Sequence, residues 1–202
     1  MNIPFTKMSG SGNDFIIIDN RVSKVDHASK RDFVRKVCTP KTSIGADGVI
    51  FIETSDKADF RWDFYNADGS SAEMCGNGGR CVARYAYEKK IASRQMTFET
   101  IAGIIHAEVN GCNVKVKLTA PKNLRQNVEV ALDGASYSVD SINTGVPHAV
   151  IYSADVDKED VQNIGRGVRY HSVFAPAGTN VNLVQKKDAH SLKVRTYERG
   201  VE

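Results

Sequence analysis

The chain lacks a long hydrophobic run. Its longest apolar stretches, such as Phe15 to Ile18, are far too short to cross a bilayer as a helix. It also lacks a dominant sign of charge. Lysine and arginine number 27 against 24 acidic residues, a formal net charge of +3. That balance gives no argument for nucleic acid or an anionic membrane surface as partner. No basic segment followed by an apolar core opens at Met1-Asn2-Ile3-Pro4, so no secretory signal is expected. The four cysteines, Cys38, Cys75, Cys81 and Cys112, show no C-x-x-C spacing, and a chain of 202 residues needs no disulfide staples. Reduced thiols in a cytoplasmic protein are therefore expected. The loop from Gly10 to Asn13 lacks the full Rossmann glycine spacing and the lysine of a phosphate-binding loop. No internal repeat and no low-complexity segment is obvious.

What is present is ordinary globular sequence. Hydrophobic residues make up 41% and charged residues 25%, with length for one large domain or two small ones. Strand patterns run over Ile3–Met8, Phe15–Asp19 and Val49–Ile52. Phe60, Trp62 and Phe64 alternate with Arg61 and Asp63, as in a half-buried strand. Further strands are predicted at 95–99, 103–109, 113–118, 128–132, 136–139, 148–151, 181–184 and 192–197. Helices are predicted over 29–37, from about Arg80 to Lys90, and around 158–164. A boundary near Pro121 divides the chain into domains 1–119 and 120–202. The plan is mixed α and β, with many short strands and few helices.

The most informative segment is Phe64-Tyr65-Asn66-Ala67-Asp68-Gly69-Ser70, followed closely by Cys75-Gly76-Asn77-Gly78-Gly79-Arg80. A polar turn delivers one cysteine to a glycine-rich start of an amphipathic helix. There the first backbone N–H groups are unsatisfied and the positive end of the helix dipole lies. Gly76, Gly78 and Gly79 are expected to let a ligand approach the backbone. The helix end is expected to lower the thiol pKa. Such a thiol can both take and give a proton near neutral pH. Cys81 points well away along the same helix, and Cys38, Cys81 and Cys112 are expected to be structural.

Three turns offer asparagine: Asn13 in Gly10-Ser11-Gly12-Asn13-Asp14, Asn66, and Asn180 after Gly178-Thr179. Each is compatible with plain turn chemistry. Together they suggest a grip on a zwitterion, because an amide both donates and accepts. Glu198-Arg199-Gly200, read alone, is a solvated ion pair at a strand end. His148 after Pro147 reads as part of a turn or as a satisfied core histidine.

Lys7 to Phe15, Phe64 to Ser70, Cys75 to Arg80 and Tyr197 to Gly200 resemble, in order, the motifs of diaminopimelate epimerases. The resemblance implies a cofactor-independent isomerase, without metal, that interconverts LL- and meso-2,6-diaminopimelate. It implies an α/β (α+β) fold of two similar domains, each a curled, mostly antiparallel sheet around a central helix. Substrate would lie in the cleft between the domains, and a homodimer is usual. Cys75 then resembles one of two catalytic acid/base thiols. Asn13, Asn66, Gly76, Asn77, Asn180, Glu198 and Arg199 resemble substrate contacts, and His148 and Glu198 resemble groups that tune the thiols. Val146 and Gly48 depart from a common pattern that has asparagine and glutamine there. The family's second cysteine follows the Glu-Arg-Gly motif. The second domain is therefore expected to be incomplete in this chain, and the 202 residues alone to be inactive. The alternatives are a proline or hydroxyproline racemase, a phenazine-type isomerase, and a non-catalytic zwitterion-binding protein. A cysteine hydrolase using His148 or His171 is a fourth.

Overall fold

The computed structural model describes residues 2–132 and 134–198. The chain divides into two compact units, Met1–Thr119 and Ala120–Glu202.

The first unit begins with a hairpin, β1 (Thr6–Gly10) and β2 (Asn13–Asp19). Its turn is Ser11-Gly12, both at positive φ (53° and 90°). A two-residue turn of that kind matches the twist of the strands it joins. The turn sets the register at Gly10 opposite Asn13, so β1 starts at Thr6 and not at the expected Ile3. Next come α1 (Lys30–Cys38), β3 (Gly48–Glu53), β4 (Phe60–Asn66) and α2 (Gly76–Glu88). They are followed by β5 (Gln95–Thr100), β6 (Gly103–Asn110) and β7 (Asn113–Lys117). The seven strands lie in sequence order in one sheet. Two pairings are parallel, β2 with β3 and β4 with β5. Parallel neighbours need a long crossover, and α1 and α2 supply them.

Alternation sorts the side chains of this sheet. Ile16, Ile18, Val49, Phe51 and Tyr65 pack with Val34 and Cys38 of α1. Phe15, Ile17, Ile50, Ile52, Trp62 and Phe64 pack with Cys81, Val82, Tyr85 and Ala86 of α2. The middle strands are buried on both faces, which is why β2 and β3 read as nearly unbroken apolar runs. Helix α2 touches β1 and β2 at one edge of the sheet and β6 and β7 at the other. The sheet therefore curls around α2.

The second unit holds β8 (Lys122–Leu132), β9 (Ala135–Asn143), β10 (Pro147–Tyr152), α3 (Val161–Arg169), β11 (Asn180–Lys186) and β12 (Leu192–Tyr197). Its sheet has the order β12-β11-β10-β9-β8, and only β10 and β11 are parallel. Strand β8 begins six residues before the expected Val128. Its first half carries two register shifts around Arg125, with Asn123 and Asn127 at positive φ (57° and 53°). Such bulges interrupt the period-2 pattern a strand shows in sequence.

Helix α3 starts later than expected and runs to Arg169. The Asp160 carboxylate accepts the N–H of Asn163 at 3.1 Å and so fixes the first turn. Its two glycines let it pack closely. A Cβ at Gly165 would lie 2.4 Å from Cβ of Tyr197, and one at Gly167 2.9 Å from Cδ1 of Leu132. Tyr197 and Leu132 come from the opposite edges of the sheet, which thus curls over α3. The core here is Val130, Val139, Ala149, Ile151, Val181 and Leu183 against Ile164 and Val168.

Candidate active site

The β4–α2 connection is a folded turn. The N–H of Asn66 donates to the Ser70 carbonyl, and that of Ala72 to the Phe64 carbonyl, both at 2.9 Å. The turn brings Cys75 to the N-cap of α2 in an extended conformation (φ −144°, ψ 121°). Its Sγ accepts the N–H of Gly78 at 3.5 Å. The N–H groups of Gly76 and Asn77, first in the helix, have no intrahelical acceptor. Cys75 is a half-buried residue.

The other thiols differ. Cys38 and Cys81 are buried, and burial pushes both up to about 11, so they stay protonated near neutrality. Cys112 is not packed as expected. It is exposed in the β6–β7 turn, where its carbonyl accepts from Arg84 at 3.5 Å.

Two of the glycines in the cysteine motif have a different task from the one expected. Gly78 and Gly79 are buried against the sheet and its strands. A Cβ at Gly78 would lie 3.2 Å from Ile50, and one at Gly79 3.1 Å from Met74. They seat the helix on its core, while Gly76 remains partly exposed at the tip.

Asn13 and Asn77 meet across 64 positions of sequence. Nδ2 of Asn77 donates to Oδ1 of Asn13 at 2.5 Å. Arg80 donates to Oδ1 of Asn77 at 2.5 Å and to Oγ of Ser11 at 2.9 Å. Nδ2 of Asn13 points to Oδ2 of Asp47 at 3.4 Å, and the same oxygen takes the N–H of Asp14 at 2.8 Å. Asn66 donates to Oγ of Ser70 at 3.0 Å. Its strand position lies opposite Gly48, which pairs in turn with Phe15. At Gly48 a Cβ would lie 2.6 Å from both the Phe64 ring and the Tyr65 carbonyl, so this chain has no room there for a side chain. The first unit thus gathers Asn13, Gly76 and Asn77 at the head of α2. Asp47, Arg80 and Ser11, which sequence reading did not single out, complete the cluster.

The second unit carries His148, Asn180 and Glu198; Arg199 lies outside the described residues. His148 pairs with Asn180 across β10 and β11. The β11–β12 register sets Val181 opposite Tyr197, so Glu198, next along, falls opposite Asn180. Asn182 was missed in the sequence reading. Its Oδ1 accepts from Thr196 at 3.0 Å, which turns Nδ2 toward Nδ1 of His148 at 3.3 Å. When neutral, His148 then carries its proton on Nε2. Burial lowers the His148 pKa, and the charge of Glu198 opposes that shift.

Cavity size alone does not mark this chemistry. One cavity, about 420 Å³, is lined by Thr97, His106 and Lys117 in the first unit and contains none of the expected residues. A smaller one, about 290 Å³, lies in the second unit and is lined by Asn143, Pro147, His148 and Thr179. Among the described residues, no three His, Cys, Asp or Glu side chains group to hold a metal ion. Nor, among the described residues, is any helix long and apolar enough to cross a membrane.

Known proteins of similar fold include a probable proline racemase from Agrobacterium radiobacter K84 (TM-score 0.68, 14% identity). It is matched over 96% of this chain and 69% of that one. A PhzF-family phenazine biosynthesis protein from Bacillus anthracis gives a TM-score of 0.67 at 15% identity, over 96% and 70% of the two chains. These likenesses show the fold. Sequence is more specific. The chain is 50% identical to a diaminopimelate epimerase of Aquifex aeolicus, over 98% of its own length and 74% of the relative's. It is 51% identical to one of a Hydrogenobaculum species (98% and 75%) and 44% identical to one of Archaeoglobus fulgidus (100% and 76%). Residues 5–124 match the family model described as diaminopimelate epimerase. On this evidence the chain belongs to the diaminopimelate epimerase family.

Proposed function

We propose that this protein is an isomerase that epimerises LL-2,6-diaminopimelate to meso-2,6-diaminopimelate with Cys75 as one of two proton carriers. The observation that carries the reading is the Cys75 Sγ held at the N-cap of α2. In one direction the Cys75 thiolate takes the α-proton and becomes a thiol, and the Cα–H electron pair moves into the carboxylate as an enediolate. A second acid on the opposite face returns a proton to the α-carbon and inverts it. In the reverse direction the roles exchange. A positioned base contributes about 10²–10⁴-fold. Preorganised N–H donors at the developing charge, such as those of Gly76 and Asn77, add about 3–4 kcal/mol each. Asn13, Asn66 and Asn180, with Glu198 and Arg199, are assigned to substrate, and His148 with Glu198 to setting the protonation of the reacting thiols. A cytoplasmic location belongs to the same reading, supported by a mechanism that needs reduced thiols; a homodimer belongs to it as the usual state that the family resemblance implies.

Solvent deuterium incorporated at an α-carbon of diaminopimelate tests it, with proline as the competing substrate. Exchange into diaminopimelate by the full-length protein is expected, and its loss in Cys75→Ala with the fold intact. Exchange into proline alone would favour the racemase reading. Robust inversion by Cys75→Ala would place the base elsewhere.

A further inference from the structure

We propose that Asn182 is a positioning residue that fixes His148 in one form, with a bare Nδ1 and the proton on Nε2, so that the ring serves the reaction as a hydrogen-bond donor and not as a base. This rests on the proposed assignment of His148 to the reacting thiols and says which ring atom acts, and in which sense.

Strand register builds the contact. Asn182 lies opposite Val150 on β10 and opposite Thr196 on β12. Its side chain reaches diagonally to His148, two residues before Val150. Nδ2 of Asn182 lies 3.2 Å from the Ala149 carbonyl oxygen and 3.3 Å from Nδ1 of His148, and Oδ1 lies 3.0 Å from the Thr196 hydroxyl. A backbone carbonyl can only accept. The Asn182 atom that faces it is therefore the nitrogen, which leaves the oxygen to accept from Thr196. Amide direction is ordinarily an open question; here the Ala149 carbonyl answers it. One N–H of Asn182 goes to that carbonyl and the other to His148. A donor at this place requires a lone pair on Nδ1. A proton on Nδ1 would meet it head on, whether it came with the other tautomer or with the imidazolium.

The other surroundings of the ring pull in two directions. Burial disfavours the imidazolium, and the charge of Glu198 favours it. Asp140 of β9 lies on the same face of the sheet by alternation, two residues from the Ile142 that pairs with His148. Its Oδ1 accepts the Asn127 N–H at 3.0 Å. Among the described residues, Glu129 of β8 and Lys186 of β11 share that face further along. Two acidic side chains thus draw a proton to the ring. The Asn182 N–H opposes it at Nδ1, the nitrogen where that proton would be added. With Nδ1 occupied, the ring offers the site one group, the Nε2–H. An N–H turned to a sulfur favours the thiolate, whereas a bare nitrogen would compete for the same proton. His148 therefore carries no proton between substrate and thiol.

A long-range ¹⁵N–¹H spectrum of the full-length protein reads the tautomer directly. Nδ1 of His148 is expected as a bare nitrogen and Nε2 as a protonated one at neutral pH. Asn182→Leu removes the donor and should leave a mixture of tautomers. Asn182→Asp sets an acceptor beside Nδ1. The proton should then appear on Nδ1, and the ratio of cationic to neutral ring at a given pH should rise about tenfold or more. The two roles differ in how this variant responds to pH. Its ring, on becoming neutral, loses the proton of Nε2 and with it the donor. For a donor, kcat for deuterium incorporation into diaminopimelate should fall about tenfold or more as pH rises through the ring's midpoint, with KM changed less. For a base, the newly bare Nε2 would raise kcat over the same range. A merely structural role for Asn182 would give neither response. The opposite tautomer or a mixture in the unsubstituted protein would overturn the proposal, as would Asn182→Leu with the proton still confined to Nε2, or Asn182→Asp with kcat that rises or stays level through the midpoint. Should the variants fail to fold, the spectrum of the unsubstituted protein still decides. Exchange into diaminopimelate with the opposite tautomer sinks this inference alone. The expected tautomer without any exchange sinks the epimerase reading and leaves the fixed ring standing.

Discussion

The two units repeat one plan and finish it differently. Strands β1, β2, β3 and β4 with helix α1 follow the same order as β9, β10, β11 and β12 with α3. In each, the pairings are antiparallel, parallel and antiparallel. The crossover helix lies on one face of each sheet. In the first unit α2 fills the other face with a second core. In the second, among the described residues, no helix covers that face. Lys193, Arg195 and Tyr197 of β12 reach toward α3 and the segment before it. Alternation therefore puts Leu192 and Val194 on the uncovered side, where they are 62% and 49% exposed. The rows of residues that end the two sheets correspond. Phe15, Gly48 and Asn66 occupy the strand positions that His148, Asn180 and Glu198 occupy in the second unit. Where the first unit buries an aromatic ring under α2, the second presents a histidine. In each unit taken by itself these positions form one row across its sheet, and the chemistry of the row differs between the two.

The comparison is broken most sharply through Lys30, the buried lysine that opens α1. Its side chain is 2% exposed and its Nζ lies 2.5 Å from Glu53 and 2.7 Å from Asp63. Burial alone would lower its pKa, yet the hydrogen bonds that Nζ donates to Asp63 and Glu53 outweigh that and hold it above its ordinary range. Lys30→Ala leaves two carboxylates beneath α1 without their cation. A loss of about 3–5 kcal/mol is expected, visible in denaturant unfolding and confined to amide exchange in the first unit. Equal loss of protection in both units would show that they do not unfold separately. The matching change in the second unit is Gly165→Ala. The new methyl would lie 2.4 Å from Cβ of Tyr197 and should force α3 off the sheet, at a cost of about 1–3 kcal/mol. A variant as stable as the parent would mean that α3 is not the helix holding that core.

These features were unequally legible in the sequence. Alternation exposed β4, since Phe60, Trp62 and Phe64 carry a period of two and one face is buried. Cys75 was legible as a helix cap because a polar turn, glycines and an amphipathic run meet there. Strand β8 was half hidden, because bulges at Arg125 erase the period. The last turns of α3 were hidden by Gly165 and Gly167, which lower helix propensity and were selected by a packing distance no local pattern records. Gly78 and Gly79 were misread for the same reason: a glycine that admits a ligand and one that admits a neighbouring strand look alike in sequence. Asp47, Arg80 and Asn182 were missed because their roles arise from partners brought close only by the fold. Asp47, for example, meets Asn13 across 34 positions.

A smaller effect separates the units by pH. The His148 pKa is lowered in the folded protein from an ordinary value of 6.5. As pH falls through that value the unfolded chain takes up the proton more readily than the folded one. Stability from this group is therefore present above about pH 6.5 and declines below it. Acidification should weaken the second unit, and His148→Gln should flatten that dependence. An unchanged pH profile in His148→Gln would remove the histidine from the account.

The finest distinction lies between two helix caps. Asp160 heads α3, and its carboxylate accepts the Asn163 N–H at 3.1 Å. Cys75 heads α2, where a thiol 3.5 Å from the Gly78 N–H does the same work with a weak acceptor. A cap chosen for stability would be serine, threonine, aspartate or asparagine. Asp160→Ala should therefore cost about 1 kcal/mol and leave epimerisation untouched. Cys75→Ser should change stability by less than about 0.5 kcal/mol or raise it, since the hydroxyl is the better cap, while activity collapses because a serine hydroxyl is far too weak an acid to share the proton. If Cys75→Ser instead destabilised the first unit as Asp160→Ala does the second, the sulfur would be a cap like any other, and the helix head would have lost its claim to chemistry.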